Sequence, residues 1–449
     1  MKSNILSNRV IVIGGGAAGL LAAGRAAELG ASVILLERMD APGKKLLITG
    51  KGRCNITNNA PLKEFLTAFG PNGRFLHGAF HRFFRDELLD FFHRRGVETK
   101  DERGGRVFPA SDDAADIVNA LVSYATDHSV EMRLNSRVTT IKRDDRGITG
   151  VMFDSGELLR GSAVILAAGG ASFPATGSAG DGFQLAQSIG HEVNKLYPAL
   201  VPLVLKEFSF AIACQGVALK NVRLTAFACD KKASIPDVTL AHDYGRGTGH
   251  EKPPPMVIES RFGEALFTHF GIGGPITLLM SQAVARSLDA GPVSIAIDLK
   301  PALTNKELDL RLQREFAAFP RRQLPAILRE LLPEKMVEPM AGLSGVPLGR
   351  TAANFTAEDR HGLVKLLKNL TFEVKTTLPL GAAMVTAGGV ELTEVDPKTM
   401  ASKIVPGLFL AGEVLDLDAD TGGYNLQSAF STGWVAGEAA AKFITNELQ

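Results

Sequence analysis

Few folds are open to a chain whose residues 9–37 set a glycine cluster between an apolar β-branched run and an alanine-rich helix. Arg9–Ile13 (RVIVI) has the continuous apolar pattern of a parallel strand buried on both faces. Gly14-Gly15-Gly16-Ala17-Ala18-Gly19 follows as GxGxxG, residues 20–29 continue as a helix stopped by Gly30, and a second strand, residues 32–36, ends in Glu37. Gly14 permits the tight strand-to-helix turn, Gly16 lets the backbone approach a pyrophosphate, and Gly19 lets helix and strand pack closely. The free N–H groups of the helix N-terminus favour phosphate. Glu37 is placed to accept hydrogen bonds from a ribose diol, and an acid there disfavours a 2′-phosphate. GxGxxG alone is a weak signal, but strand, glycines, helix, strand and acid in this order predict a dinucleotide-binding unit. By itself the unit leaves FAD and NAD open.

The rest of the chain bears on that choice. Residues 131–167 read as a β-meander, with strands at 131–134, 138–143, 148–153 and 164–167 and Asp-Arg-Gly and Asp-Ser-Gly turns between them. The last strand runs through Ala168 into Gly169 and Gly170. Such a meander after a first βαβ unit resembles large FAD enzymes of the glutathione-reductase-like class, where the backbone near Val138 lies against adenine; the alternative is an unrelated antiparallel sheet. Near the C-terminus, GLFLAGEVLD (residues 407–416) is a strand running into Gly412, Glu413 and Asp416, followed by a glycine turn and a long helix with small residues along one side. In flavoproteins the acid after such a strand binds the ribityl chain or pyrophosphate. The next helix, here opening at Asn425 and Leu426, aims its positive end at the flavin, where it stabilises the anionic reduced form.

Composition removes other classes. Lys plus Arg number 49 against 48 acidic residues, a net charge of +1, so a nucleic-acid partner is not favoured. The three cysteines, Cys54, Cys214 and Cys229, form no CxxC pair or disulfide framework, which points to a reducing compartment and a cytoplasmic protein. The apolar run at residues 10–23 has the layout of a signal peptide, but cleavage there would destroy the glycine motif. No stretch reaches the ~18 apolar residues of a membrane helix, and the nine histidines form no HxxxH or HExxH pattern, so neither a membrane nor a metal is expected.

Four segments together resemble one family, the two-dinucleotide-binding-fold flavoproteins called NAD(P)/FAD-dependent oxidoreductases, aminoacetone oxidase family proteins or bile-acid-inducible-type flavoproteins. They are GKKLLITGKGRCNITN (43–58), TGSAGDGFQLAQSIGH (176–191), EALFTHFGIGGP (264–275) and the GGV, TMASK, GLFLAGEVLD and GGYNLQ series (388–427). The resemblance implies an α/β protein with a discontinuous FAD-binding Rossmann-like domain (1–194 and 380–449), an inserted β-barrel-like domain (195–300 and 371–379) and a helical insertion (301–370). It implies non-covalent FAD and a small organic substrate, and fixes the cofactor better than the reaction. Lys51 departs from the pattern, because a third glycine is usual there.

In the 43–58 loop Lys44, Lys45 and Arg53 can reach a phosphate or the flavin, with Leu46, Gly52, Cys54 and Asn55 beside them; the alternative is a solvated basic loop. Cys54 lacks a partner for a dithiol relay and reads as packing. Thr304 to Glu307 and Thr356 to Asp359 read as capping boxes opening helices, and residues 242–255, rich in Gly and Pro, as a surface loop or cover. The resemblance brings Thr268 and His269 toward the flavin as candidates for proton transfer, His269 being equally readable as a structural histidine. The expected function is hydride passage between a small substrate and flavin N5. No second GxGxxG unit appears, so electrons would come from the substrate itself or from NAD(P)H binding transiently at the flavin face. Rivals are an amino-ketone oxidase releasing peroxide, a tRNA-modifying or RNA-binding flavoprotein, and a non-enzymatic flavin-bound protein. The oligomeric state is not fixed by the sequence.

Overall fold

The computed structural model describes residues 9–230 and 256–446, so the loop expected at 242–255 lies outside the described residues. The chain divides into two compact units, Met1–Tyr197 with Leu380–Gln449, and Pro198–Pro379.

In the first unit five parallel strands stand in the order Leu408–Leu410, Ala163–Leu166, Arg9–Ile13, Ser32–Leu36, Glu131–Arg133. The central strands are wholly buried from Val10 to Val12 and from Ala163 to Leu166, as their unbroken apolar runs require. Residues from the far end of the chain therefore pair in the same sheet as those from its start. The meander differs from the sequence expectation. It comprises Val138–Asp144, Gly147–Phe153 and Leu158–Arg160, whereas the outer two of the four expected strands belong to the parallel sheet. Ala163–Leu166 has apolar residues at every position, which suits burial on both faces and not a half-exposed antiparallel ribbon.

Two helices pack together against that sheet's glycine turn, Ala17–Glu28 and Tyr424–Asn446. Their backbones approach so closely that a Cβ on Gly433 would stand 2.4 Å from the carbonyl oxygen of Ala18, and one on Gly437 2.4 Å from that of Ala22. The small residues noted along the second helix thus let it lie on the first.

The second unit holds a closed barrel in the order Leu203–Leu205, Gly271–Gly273, Val257–Phe267, Ala218–Phe227, Val293–Asp298, Leu370–Thr377. Helices Asn305–Ala318 and Ala357–Lys368 open with the expected capping boxes on Thr304 and Thr356. Their Leu308, Leu312, Leu363 and Leu367 share one core with Leu224, Ile295 and Ile297 of the barrel, so barrel and helices form a single body.

That core encloses an ion pair: Lys368 Nζ lies 2.6 Å from Asp298 Oδ2, the two side chains being 1% and 3% exposed, and it also donates to the Lys300 and Leu303 carbonyls. Removing one partner of a buried pair strands the other charge, at a cost of about 3–5 kcal/mol. Lys368→Met is therefore expected to lower unfolding stability by that amount in a denaturant titration; a loss under about 1 kcal/mol would mean that the pair is not buried as described.

Candidate functional site

Within the first unit a cleft runs along the glycine turn. Its first wall is the sequence 13–18. Gly14 takes φ +103°, and a Cβ there would be 2.5 Å from the Ala167 oxygen; a Cβ on Gly19 would be 1.8 Å from the Gly14 oxygen. These two glycines are thus required by packing. Gly16 differs, because a Cβ there would meet nothing within 4 Å. Gly16 caps the helix Ala17–Glu28 with no side-chain hydrogen bond, so free N–H groups of the first turn face open space, an arrangement suited to an anion.

Glu37 borders this wall and is buried; its carboxylate accepts from the N–H groups of Gly15 (2.7 Å) and Met39 (2.8 Å). Lys44, Lys45 and Leu46 line the cleft from a short helix, Lys44–Ile48, with Val138 from the meander and Ala168 and Gly169 from the end of Ala163–Leu166. The opposite wall comes from the other end of the chain, through Gly412, Glu413, Asn425 and Leu426. Gly412, at φ +75°, would bring a Cβ 2.9 Å from that of Ala18, so the two chain ends meet at the helix N-terminus. The cleft is thus bounded by the N-termini of both packed helices.

At its middle Lys45 Nζ lies 2.6 Å from Glu413 Oε2 and donates to Ser172 Oγ at 2.6 Å. Glu413 also accepts from the Thr386 N–H at 2.8 Å and from Ser172. Burial pushes this carboxyl's pKa up, but the charge and hydrogen bond of Lys45, with Thr386 and Ser172, outweigh it and hold the pKa below the usual value. The carboxylate is therefore ionised at neutral pH. Lys44 is paired with Asp40.

Six of the expected residues stand elsewhere in this unit than on the cleft wall. Gly19 packs behind it. Gly52, at φ +86°, closes the turn at residues 49–52, where Lys51 itself adopts φ +62°, a conformation that glycine takes at less cost. Arg53 is engaged by Glu102 (2.6 Å) and Asp112 (3.2 Å) and lies over the Phe108 ring, so its guanidinium is turned to protein carboxylates, not to the cleft. Cys54 is fully buried, and burial, partly offset by a hydrogen bond with Thr49, pushes its thiol up to about 12; it is a packed thiol, not a thiolate. Asn55, with its amide oriented to satisfy both ends, donates to the Thr57 and Val107 carbonyls and accepts from the Gly423 N–H. Asp416 receives Asn194 Nδ2 on one oxygen at 2.9 Å, while its buried Oδ1 has no hydrogen-bond partner among the described residues.

The 54–58 segment has a clear structural task. Thr57 Oγ1 donates to Gln427 Oε1 at 2.6 Å and Asn58 Nδ2 to the Gly422 carbonyl at 2.8 Å, and a Cβ on Gly423 would be 2.2 Å from the Thr57 oxygen. The C-terminal end of the 43–58 motif is thus a clasp that fixes the start of the Tyr424–Asn446 helix, while Lys44, Lys45 and Leu46 at its other end line the cleft. Thr268 and His269 belong to the second unit, in the turn between Val257–Phe267 and Gly271–Gly273; Thr268 Oγ1 accepts from the Gly271 N–H and the His269 ring lies edge-on to Phe270.

Sequence reading also missed residues. Arg38, Arg137 and Asp181 line the cleft near Glu37 and are joined to one another, Arg38 Nη1 donating to Asp181 Oδ2 at 2.9 Å and Arg137 to both oxygens at 3.0 and 3.3 Å. The available signals were Arg38 following the ribose acid and Asp181 inside TGSAGDGF. Among the described residues no group of three His, Cys, Asp or Glu side chains could hold a metal ion, and no helix is long and apolar enough to cross a membrane.

The family described as HI0933-like protein Rossmann domain matches residues 8–439. The chain is 32% identical to the 3-dehydro-bile acid delta(4,6)-reductase of Clostridium scindens, over 97% of this chain and 99% of that one. It is 28% identical to the ribosomal RNA dihydrouridine synthase of Escherichia coli, over 95% and 96% of the two chains. Among solved structures, the 3-ketosteroid-delta4-(5alpha)-dehydrogenase of Rhodococcus jostii RHA1 aligns over 96% of both chains at 16% identity, with a TM-score of 0.47.

Proposed function

The chain belongs to the HI0933-like Rossmann-domain family and is an FAD-dependent oxidoreductase, and on that premise we propose that it reduces a carbon–carbon double bond conjugated to a carbonyl group in a small organic substrate, drawing electrons from NAD(P)H. The names of two relatives, a delta(4,6)-reductase acting on a 3-dehydro-bile acid and a dihydrouridine synthase, have this in common: each names the saturation of an alkene conjugated with a carbonyl. A small-molecule substrate is favoured by the greater identity to the first relative and by the net charge of +1.

The observation that carries the reading is the open position in front of Gly16, at an uncapped helix N-terminus, in a cleft whose far wall is Gly412, Glu413 and Asn425. These residues fit FAD. The first turn of Ala17–Glu28 would hold the pyrophosphate, Glu37 the adenosine ribose, Glu413 steadied by Lys45 the ribityl hydroxyls, and the N-terminus of Tyr424–Asn446 the flavin ring. FAD bound there supplies hydride transfer at the ring. The positive end of that helix favours the extra negative charge of the reduced state.

Under argon, NADH or NADPH is expected to bleach the flavin absorbance, and a steroid-type enone to restore it with one substrate equivalent saturated per flavin reoxidised. No bleaching by either nucleotide, with peroxide released from an amino ketone in air, would replace the reductase by an oxidase. Reoxidation by uridine-containing RNA and by no enone would overturn the small-molecule substrate.

A further inference from the structure

Three charged side chains from separate segments converge at the Glu37 end of the cleft. Arg38 follows the strand Ser32–Leu36, Arg137 precedes the meander strand Val138–Asp144, and Asp181 is the first residue of the helix Asp181–Ser188. One carboxylate receives both guanidinium groups, Arg38 at 2.9 Å and Arg137 at 3.0 and 3.3 Å. The three side chains are partly exposed, at 31%, 50% and 20%, and all line the cleft beside Glu37, Ser136 and Val138. The turn leading to Asp181 also reaches this corner, since a Cβ on Gly177 would lie 2.9 Å from Met39 Cγ and 3.6 Å from Glu37 Oε1.

We propose that Arg38 and Arg137, held together by Asp181, form an ionic latch over the adenosine half of bound FAD and set how fast the cofactor leaves. The inference rests on the reading that Glu37 marks the ribose end. Two cations against Asp181 and Glu37 leave no net charge, so the corner does not repel an anionic dinucleotide. Planar guanidinium groups give a flat wall suited to an adenine face, which lysines would not. Asp181 is a positioning residue that touches the cofactor only through the arginines. Because the latch spans three segments, breaking it frees the Asp181 turn and the meander end together, and because it is partly exposed, salt weakens it.

The test follows FAD release from the holoprotein by the rise in flavin fluorescence, at about 50 and about 500 mM NaCl, where the screening length changes severalfold. Wild-type release is expected to quicken with salt. In Asp181→Asn and Arg137→Gln it should be about five- to tenfold faster at low salt, the scale of a partly exposed bidentate pair, with a flattened salt response. Asp181→Glu should restore much of the retention. FMN, which lacks adenosine, should bind the variants and wild type alike; a parallel loss of FMN would indicate general disruption of the cleft and overturn the latch. FAD-loaded variants that release at the wild-type rate with the wild-type salt response overturn it as well, leaving the FAD site intact. A wild-type protein that takes up no FAD overturns the site reading itself.

Discussion

Valine in place of Gly16 is expected to give a folded protein that has lost FAD. A Cβ at this position meets no atom of the chain within 4 Å, and the backbone there, at φ −86° and ψ −167°, is one that a β-branched residue adopts readily. The substitution therefore costs the apo fold little. On the proposed reading the valine methyls occupy the space through which the pyrophosphate reaches the first-turn N–H groups, so cofactor affinity should fall by at least about a hundredfold, or roughly 2.7 kcal/mol. Circular dichroism and thermal unfolding of the flavin-stripped proteins should agree within about 0.5 kcal/mol, the usual range for a substitution away from packed sites. Gly19→Val makes the contrast, because its Cβ would stand 1.8 Å from the Gly14 oxygen and the turn itself would have to move. A yellow Gly16→Val protein would remove the phosphate cradle from the account.

The second large effect is expected from Gly433→Leu. Its Cβ would lie 2.4 Å from the Ala18 oxygen, backbone that cannot yield without separating the two helices. Overpacking of a core typically costs 1–3 kcal/mol, and here the displaced pair also carries both helix N-termini that border the cleft. A stability loss of about 3 kcal/mol or more, with weakened FAD binding, should appear together in urea titration and flavin retention. Gly433→Ala meets the same oxygen with a smaller group and should lose less on both measures. A leucine variant as stable as wild type would show that the helices are not in backbone contact.

Both glycines belong to parts of the chain whose roles differ in how local they are. The strand, glycine turn, helix and acid at residues 9–37 are legible in the sequence because each residue type there answers a local backbone need, as the positive φ of Gly14 and Gly30 bears out. The capping boxes at Thr304 and Thr356 are legible for the same reason. Strand partnership is not local: Glu131–Arg133 and Ala163–Leu166 look like neighbours of the meander along the chain, and only the sheet's parallel partners decide otherwise. At the site, the types of Arg53 and Asn55 suggest a ligand, yet Glu102, Asp112 and the Gly423 turn supply their partners from distant segments. The Arg38, Asp181 and Arg137 cluster is hidden by the converse problem, three unremarkable charges that only folding brings together.

A single FAD held where the two ends of the chain meet is the central claim, and titration of the flavin-stripped protein with FAD in the presence of ADP probes it directly. ADP carries the adenosine and pyrophosphate but no flavin, so it should compete for the cradle in front of Gly16. One equivalent of FAD per chain, displaced competitively by ADP in wild type, with neither ligand binding Gly16→Val, is the predicted result. FAD that binds without competition from ADP, or binds the variant as tightly as wild type, would place the cofactor elsewhere and contradict the claim.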